Sequence, residues 1–471
     1  MSALDPTDWD VFAEQAHAAL DGAIARLRTV REGPVWRAPP PAVLAAFDAP
    51  APASARPFAE VLDDVDRLIA PYTPGNTHPL FMGWVHGAGT PYGMVAEMLA
   101  AGLNANCGGR NHIGPVVERQ VTAWMAAAFG FPADASGLLV TGASQANLVG
   151  VLVARDKALG LDVRTDGLAG AARLTAYASA EAHGCVAKAM DLAGLGSAQL
   201  RRIAPDATGA LQLPALEAAI AADRAAGLTP FLVVGTAGTV NIGAFDDLAA
   251  MARVARREGL WFHVDGAFGA LAAFSPRLRG RLAGLEAADS VAFDFHKWAH
   301  VPYDAGFVLV RSAADHRAAF ANPADYLSRE PRGLAAGETW PCDLGPDLSR
   351  GFRALKVWMT LQAVGTDALG QAMEDNCAAA QHLARRLEAS ERFELAAPVG
   401  LSIVCFSVRG DKTGEINRAL VMALHEAGLA APSTTVRDGR VVVRAALFNH
   451  RTTLADIDRF VDSLEQTLAS L

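Results

Sequence analysis

GLWFHVDGAFGALAAFSP, residues 259–276, and ADSVAFDFHKWAHVPYDAGFVLV, residues 288–310, hold the residues around which the rest of the chain is arranged. In the first, the apolar run Leu260-Trp261-Phe262-His263-Val264 ends at Asp265 and reads as a buried strand delivering a carboxylate at its C-terminal end. In the second, Val291-Ala292-Phe293-Asp294-Phe295 leads into His296-Lys297-Trp298 and reads as another strand, ending in a lysine flanked by bulky rings. Asp265 and Lys297 lie 32 residues apart, which fits two neighbouring strands of one sheet joined by a crossover.

An arbitrary lysine at a strand end is usually solvated or part of a structural ion pair. An amine and a carboxylate at the ends of adjacent buried strands fit a more specific chemistry. Such a lysine can form a Schiff base with pyridoxal phosphate (PLP), and such an aspartate can hold the pyridine nitrogen protonated. The run HVDGAFGA…DSVAFDFHKW also resembles the group II PLP-dependent decarboxylases, the family of aromatic-amino-acid and glutamate decarboxylases, whose pattern there is HVDAA…DS…HKW. The resemblance extends over nearly the whole chain. It implies an α/β fold of the fold type I PLP-dependent transferase kind: a mostly parallel seven-stranded sheet with flanking helices, an N-terminal helical arm and a small α+β C-terminal domain. The corresponding boundaries are 1–85 for a dimerising arm, 86–348 for the PLP-binding domain and 349–471 for the small domain.

Composition narrows the alternatives. The chain has 471 residues, 51% of them hydrophobic and 19% charged, ample for a large core. A net charge of −9 with no basic run argues against nucleic-acid binding. Five scattered cysteines, Cys107, Cys185, Cys342, Cys377 and Cys405, show no metal-ligand spacing and no disulfide framework. The acidic, amphipathic N-terminus does not read as a signal peptide, and no apolar run is long enough to span a bilayer. A reducing cytoplasm is the expected compartment.

Along the chain, Trp9, Phe12, Ala16, Leu20, Ile24 and Leu27 repeat at helical spacing, a Pro/Ala-rich stretch runs from Pro34 to Pro57, and 58–69 reads as a second amphipathic helix. Such an arm cannot bury its own apolar faces and is expected to pack on a second copy of the chain; the family resemblance also implies a homodimer with the active site at the subunit interface. Trp84, Val85 and His86 match the family's substrate-lining segment, although His86 could equally be a hydrogen-bonded structural histidine. The loop 104–115, NANCGGRNHIGP, could bind an anion through Arg110 and backbone N–H groups, or serve only as a polar connection. In the family the matching loop faces the partner's substrate, so Asn106 and Arg110 become substrate candidates. Trp84 and His86 allow an aromatic amino acid, Arg110 and Asn111 an acidic one.

Strand, small-residue turn and helix at 137–158 make a phosphate site, with Ala143 and Ser144 at the turn. A Ser there is often only a cap. His183, in AHGCVAKA, matches the family histidine that stacks on the pyridine ring, with Cys185 where a Ser is usual. In TAGTVNIGAFD, residues 236–246, Thr239 matches a cofactor-side hydroxyl, while Val240 replaces a second threonine. Ala267 matches the small residue under the ring. Asp294 is expected near the phosphate and lysine, and His296 on the cofactor or substrate carboxylate. Residues 322–349 lack periodicity and read as a mobile loop. The family loop supplies a tyrosine that protonates the carbanion left after CO2 departs; here Tyr326 is the only tyrosine, near the start, and the expected position falls at Trp340–Asp343.

The function these features imply is α-decarboxylation of an L-amino acid to an amine, with Lys297, His183 and Asp265 catalytic and no metal. Alternatives on the same fold are oxidative deamination to an aldehyde or a retro-aldol cleavage. A catalytically silent scaffold is opposed by the intact Lys297, His183 and Asp265.

Overall fold

Seven runs rich in β-branched and aromatic residues pair into one sheet: β1 (Ser136–Val140), β2 (Leu174–Ser179), β3 (Leu200–Ile203), β4 (Thr229–Thr236), β5 (Trp261–Asp265), β6 (Ser290–Asp294) and β7 (Gly306–Val310). This is a computed structural model that describes residues 4–321, 329–337 and 339–471. The strand order is β1-β7-β6-β5-β4-β2-β3. Pairing is parallel except along β7, which is antiparallel to both β6 and β1. The link from β6 to β7 is too short for a crossover, so β7 must return in the opposite direction. All the other strands therefore end at one edge, where Val140, Ser179, Thr236, Asp265 and Asp294 stand as terminal residues.

The strands β6 and β7 are buried along their whole length, as expected of a sheet covered on both faces. Helix Ala143–Leu159 packs Ala146, Val149 and Val153 against Leu138, Ala292 and Val308. Helix Gly184–Leu192 places Val186, Ala189 and Met190 on Ala176, Leu232 and Val234.

Two compact units make up the chain. One comprises Val85–Ala380 and Ala397–Val404; the other comprises Met1–Trp84, Gln381–Ala396 and Cys405–Leu471. Helix Arg353–Val364 packs on Pro91–Leu103 and Ile113–Phe129, and Lys356 pairs with Glu97, so residues 349–380 belong to the large unit. In the smaller unit a five-stranded sheet runs in the order 81–82, 431–437, 440–446, 403–408, 393–395. Its N-terminal helix Trp9–Arg28 has no buried residue, and Trp9, Val11 and Ile24 stay exposed.

Element starts were the weakest part of the sequence reading. Ala143 and Ser144, expected in the turn, open helix Ala143–Leu159, and the loop expected to run to 115 ends at His112, whose Nδ1 accepts from the Gly114 N–H and caps helix Ile113–Phe129. Small residues and glycine hid both first turns.

Candidate active site

Asp265 and Asp294 close neighbouring strands, with Asp265 in register with Ala292. Two carboxylates thus stand side by side at the sheet edge. Lys297 does not lie on a strand, as the sequence suggested; the chain turns after Asp294 into a single helical turn, Phe295–Trp298. The Phe295 N–H donates to the Ala305 carbonyl at 2.8 Å, and buried Trp298 donates through Nε1 to Asn376 Oδ1 at 3.0 Å. That turn carries the lysine back toward the strand end, with Nζ 2.8 Å from Asp294 Oδ2. The Lys297 side chain keeps 21% exposure and that of Asp294 2%, so the amine opens onto the site while its counter-ion is sealed. Gly87 passes over this turn: a Cβ there would sit 2.1 Å from the His296 carbonyl oxygen and 2.4 Å from that of Lys297. Only glycine permits the approach.

Asp294 is held from three sides. Its Oδ1 accepts from the Ala143 N–H at 2.6 Å, its Oδ2 faces Lys297, and the His296 ring stands 3.6 Å away. Ala143 is the first residue of its helix, so the free N–H groups and dipole of that terminus meet the carboxylate. The Asp294 N–H donates to the Ala267 carbonyl at 2.9 Å, and the Ala267 N–H donates to Asp265 Oδ1 at 3.1 Å, which ties the two carboxylate-bearing strand ends together. Burial pushes the Asp265 carboxyl above the usual carboxylate range, while the charges of Lys297 and His183 pull it back.

The other expected residues fall in varied surroundings. His183 is exposed at the start of helix Gly184–Leu192 and caps it, with Nδ1 accepting from the Cys185 N–H at 3.2 Å. Ser144 lies exposed in the first turn of Ala143–Leu159. Thr239 is buried, and its hydroxyl accepts from the Ala244 N–H at 3.0 Å, closing its own turn. His296 is buried, and its Nδ1 accepts from the Ala305 N–H at 3.0 Å; burial, opposed by Asp294, holds its pKa down at about 4. Val85 is buried, and His86, pushed down by burial and then by the Lys297 charge, is near enough to the amine to feel it. Trp84 falls in the smaller unit, exposed, with its carbonyl accepting from Arg444 Nη1 at 3.0 Å.

Within the chain, the Asn106 carboxamide is engaged: Oδ1 accepts from the Gly108 N–H at 2.9 Å and the Arg350 N–H at 3.1 Å. The Arg110 guanidinium lies 4.7 Å from the Trp340 ring centre, and Arg329 lies 4.6 Å from the same ring. Tyr326 lies outside the described residues. At the position expected for the loop tyrosine stands a short 3-10 turn, Pro341–Asp343.

Sequence reasoning missed Tyr303. Its ring centre is 4.2 Å from that of His296, tilted by 35°, and 6.0 Å from that of His86. Burial and then the Asp294 charge push its phenol up to about 12, so it is a neutral hydroxyl at physiological pH. Only its place in VPYD, just past HKW, pointed to it. A second buried group away from the amine is Arg350. It is buried and forks onto Glu118 at 2.9 and 2.7 Å, joining the 104–115 loop to the sheet through the Leu139 carbonyl at 2.6 Å.

An amine poised over a sealed counter-ion, a second buried carboxylate beside it, and a helix N-terminus at the same edge form a donor set that fits PLP: an aldehyde to condense, a ring nitrogen to protonate and a phosphate to cradle. Among the described residues no cluster of His, Cys, Asp and Glu could hold a metal ion. Comparison with known proteins agrees with the cofactor. Over 393 residues the chain is 33% identical to an aromatic-L-amino-acid decarboxylase of Bacillus atrophaeus, covering 81% of this chain and 79% of that one. Over 432 residues it is 33% identical to an L-2,4-diaminobutyrate decarboxylase of Rhizobium meliloti, covering 90% and 84%. The crystal structure of Oryza sativa TDC with PLP and tryptamine superposes with a TM-score of 0.90 at 26% identity, covering 99% of each chain. Residues 40–409 match the pyridoxal-dependent decarboxylase conserved domain, and the chain belongs to that family of PLP-dependent amino-acid decarboxylases.

Proposed function

We propose that Lys297 carries the cofactor and Asp265 its ring nitrogen in the PLP-dependent decarboxylation of an L-amino acid that this family performs. The observation that carries the assignment is Lys297 Nζ, 2.8 Å from the sealed Asp294 carboxylate at the sheet edge where Asp265 also ends. When bound, PLP supplies the electron sink into which the Cα–carboxylate bonding pair moves as CO2 leaves.

The chain's own residues do the rest. Asp294 keeps the Lys297 amine oriented and accepts from the Ala143 N–H at the helix N-terminus, and the first turn of that helix, with Ala143 and Ser144, is assigned to the phosphate. Asp265, paired in charge with Lys297 and His183, is suited to hold a proton on a ring nitrogen. We assign His183, at the start of its helix, to cover the ring of the cofactor, Ala267 to the other side of it, and Thr239, which closes its own turn, to the cofactor as well. His296 is held neutral and aimed by the Ala305 N–H. Tyr303, flanked by His86 and His296, offers a phenolic proton at the same place.

For the substrate, Trp84, Val85 and His86 are assigned to side-chain recognition, and Asn106 and Arg110 to the same task from a second copy of the chain. The exposed apolar face of Trp9–Arg28 supports a homodimer. Five free cysteines fit a reducing cytoplasm, and among the described residues no helix is long and apolar enough to cross a membrane. A second reading, oxidative deamination to an aldehyde, draws on the absence of tyrosine from residues 329–349. The test is to incubate the reconstituted protein with each of the twenty amino acids and assay CO2, amine, aldehyde and peroxide together. CO2 with equimolar amine is expected, and aldehyde with peroxide would favour the second reading.

A further inference from the structure

Behind Asp265, on the side of the sheet filled by helix Ala143–Leu159, runs a buried series of hydrogen bonds. Trp261 Nε1 is 2.8 Å from Ser290 Oγ, Ser290 Oγ is 2.7 Å from His263 Nδ1, and His263 Nε2 is 2.8 Å from Asn147 Oδ1. The Asn147 Nδ2 group donates to the Ala143 carbonyl at 2.8 Å and to Cys185 Sγ at 3.5 Å, and Cys185 Sγ reaches Asp265 Oδ2 at 3.8 Å. His263 and Ser290 are 0% exposed and Asn147 1%.

The direction of this series is forced by chemistry. The Ala143 carbonyl can only accept, so the nitrogen end of Asn147 must face it and the oxygen end must face His263. His263 therefore donates from Nε2. A neutral imidazole protonated there has a bare Nδ1, which accepts from the Ser290 hydroxyl, and Ser290 in turn accepts from the indole, a group that can only donate. Each donor points toward Asp265. Helix packing has been shaped around the imidazole: a Cβ at Gly150 would lie 2.7 Å from His263 Cε1 and 2.8 Å from Nδ1. Burial holds the imidazole neutral by pushing it down to about 3. Against the burial that raises the Asp265 carboxyl, the Asn147 side chain acts in the lowering direction through a hydrogen bond.

We propose that His263 is a positioning residue for the reaction: protonated on Nε2 alone, it fixes the Asn147 carboxamide, which with Cys185 holds the Asp265 carboxylate ionised and in one orientation for the cofactor nitrogen. This rests on the assignment of Asp265 to that nitrogen. No residue of the series needs to touch substrate, and the sequence alone gave His263 no role beyond filling a strand.

The experiment combines a tautomer measurement with three variants. In apoprotein labelled with 15N-histidine, the His263 signals, assigned by their loss in His263→Gln, are expected to show a neutral Nε2–H imidazole unchanged from pH 5 to 8. A His263 that titrates in that range, or is protonated on Nδ1, overturns the proposal. In protein reconstituted with PLP, His263→Phe is expected to lower kcat about 10- to 100-fold with KM within about twofold, as supporting hydrogen bonds of a site typically do. The pH titration of the visible cofactor band should shift with it. His263→Gln, which still offers an N–H to Asn147, should recover most of both. Gly150→Ala removes no polar atom and should move the band titration in the same direction, so it carries the test if His263→Phe does not fold. Unaltered band titration and kcat in His263→Phe and Gly150→Ala overturn the inference alone. An unmutated protein that takes up no PLP overturns the cofactor assignment and the inference together.

Discussion

The sheet edge at Lys297 and the clamp between the 104–115 loop and residues 329–350 both join cations to carboxylates, yet they are built in opposite ways. At the edge, Asp265 and Asp294 are the last residues of adjacent strands and Lys297 follows Asp294 by three positions, so one strand pairing and one turn of chain bring the charges together. In the clamp, partners come from distant segments: Arg350 and Glu118 are 232 residues apart, the Cys342 N–H bonds the Gly108 carbonyl at 2.8 Å, and the Asn111 N–H bonds the Leu334 carbonyl at 2.8 Å. Chemistry carried by strand ends leaves a local pattern; chemistry carried by tertiary pairing does not.

The comparison predicts that damage to the two regions separates activity from stability. Lys297→Ala should cost the most, at least about 10³-fold in CO2 release, because it removes the nucleophile that captures the cofactor aldehyde. The thermal midpoint of the apoprotein should fall less than in the clamp, because buried Asp294 loses the amine but keeps the Ala143 N–H. An apoprotein that melts much earlier would mean the edge is a structural ion pair. In the clamp, Arg350→Met leaves Glu118 buried without its partner and should destabilise by about 3–5 kcal/mol, read by urea denaturation. Stability equal to that of the unmutated chain would show that the fork adds nothing to the fold.

Acid should also act on the clamp. His316 donates to the Leu344 carbonyl through Nε2 at 2.7 Å and pairs with Ser136 Oγ at 2.9 Å, and complete burial pushes it down to about 4. In the unfolded chain it takes up a proton near pH 6.5. Stability present above that pH is therefore lost as pH falls from about 6.5 to 4, by about 3 kcal/mol in all. His316→Gln should flatten this slope in urea melts between pH 7.5 and 4.5; an unchanged slope would assign the acid sensitivity to other groups. The smallest effect belongs to Arg110→Ala. Stacking on Trp340 is worth about 0.5–1 kcal/mol at a partly exposed site, so stability should barely move. If Arg110 meets an acidic substrate across the dimer, KM for that substrate alone should rise; an equal rise for every amino acid would remove it from substrate recognition.

How much was legible follows the same division. The mostly parallel sheet, the carboxylates of Asp265 and Asp294 at strand ends and the strand–turn–helix at Ala143 were readable because apolar runs and small-residue turns are local signals. Lys297's helical turn was not, because Phe295 and Trp298 read as strand residues and only the pairing of Phe295 with Ala305 and the Asn376 contact turn the chain. Tyr303 stayed hidden because its place against His296 depends on the fold of the short β6–β7 link. The allocation of 349–380 to the large unit depends on the packing of Arg353–Val364 against two distant helices. His263 was read as strand filling, since nothing local shows that Asn147, 116 residues earlier, supplies its partner.

The central claim is that the amine of Lys297 holds the cofactor. The chain contains only five lysines, Lys157, Lys188, Lys297, Lys356 and Lys412, so one chemical trap distinguishes them. Borohydride reduction of the PLP-loaded protein, followed by peptide mass spectrometry, should place a single phosphopyridoxyl group on Lys297 and leave the other four unmodified. A label on any other lysine, or a reduced protein carrying none, would contradict the account.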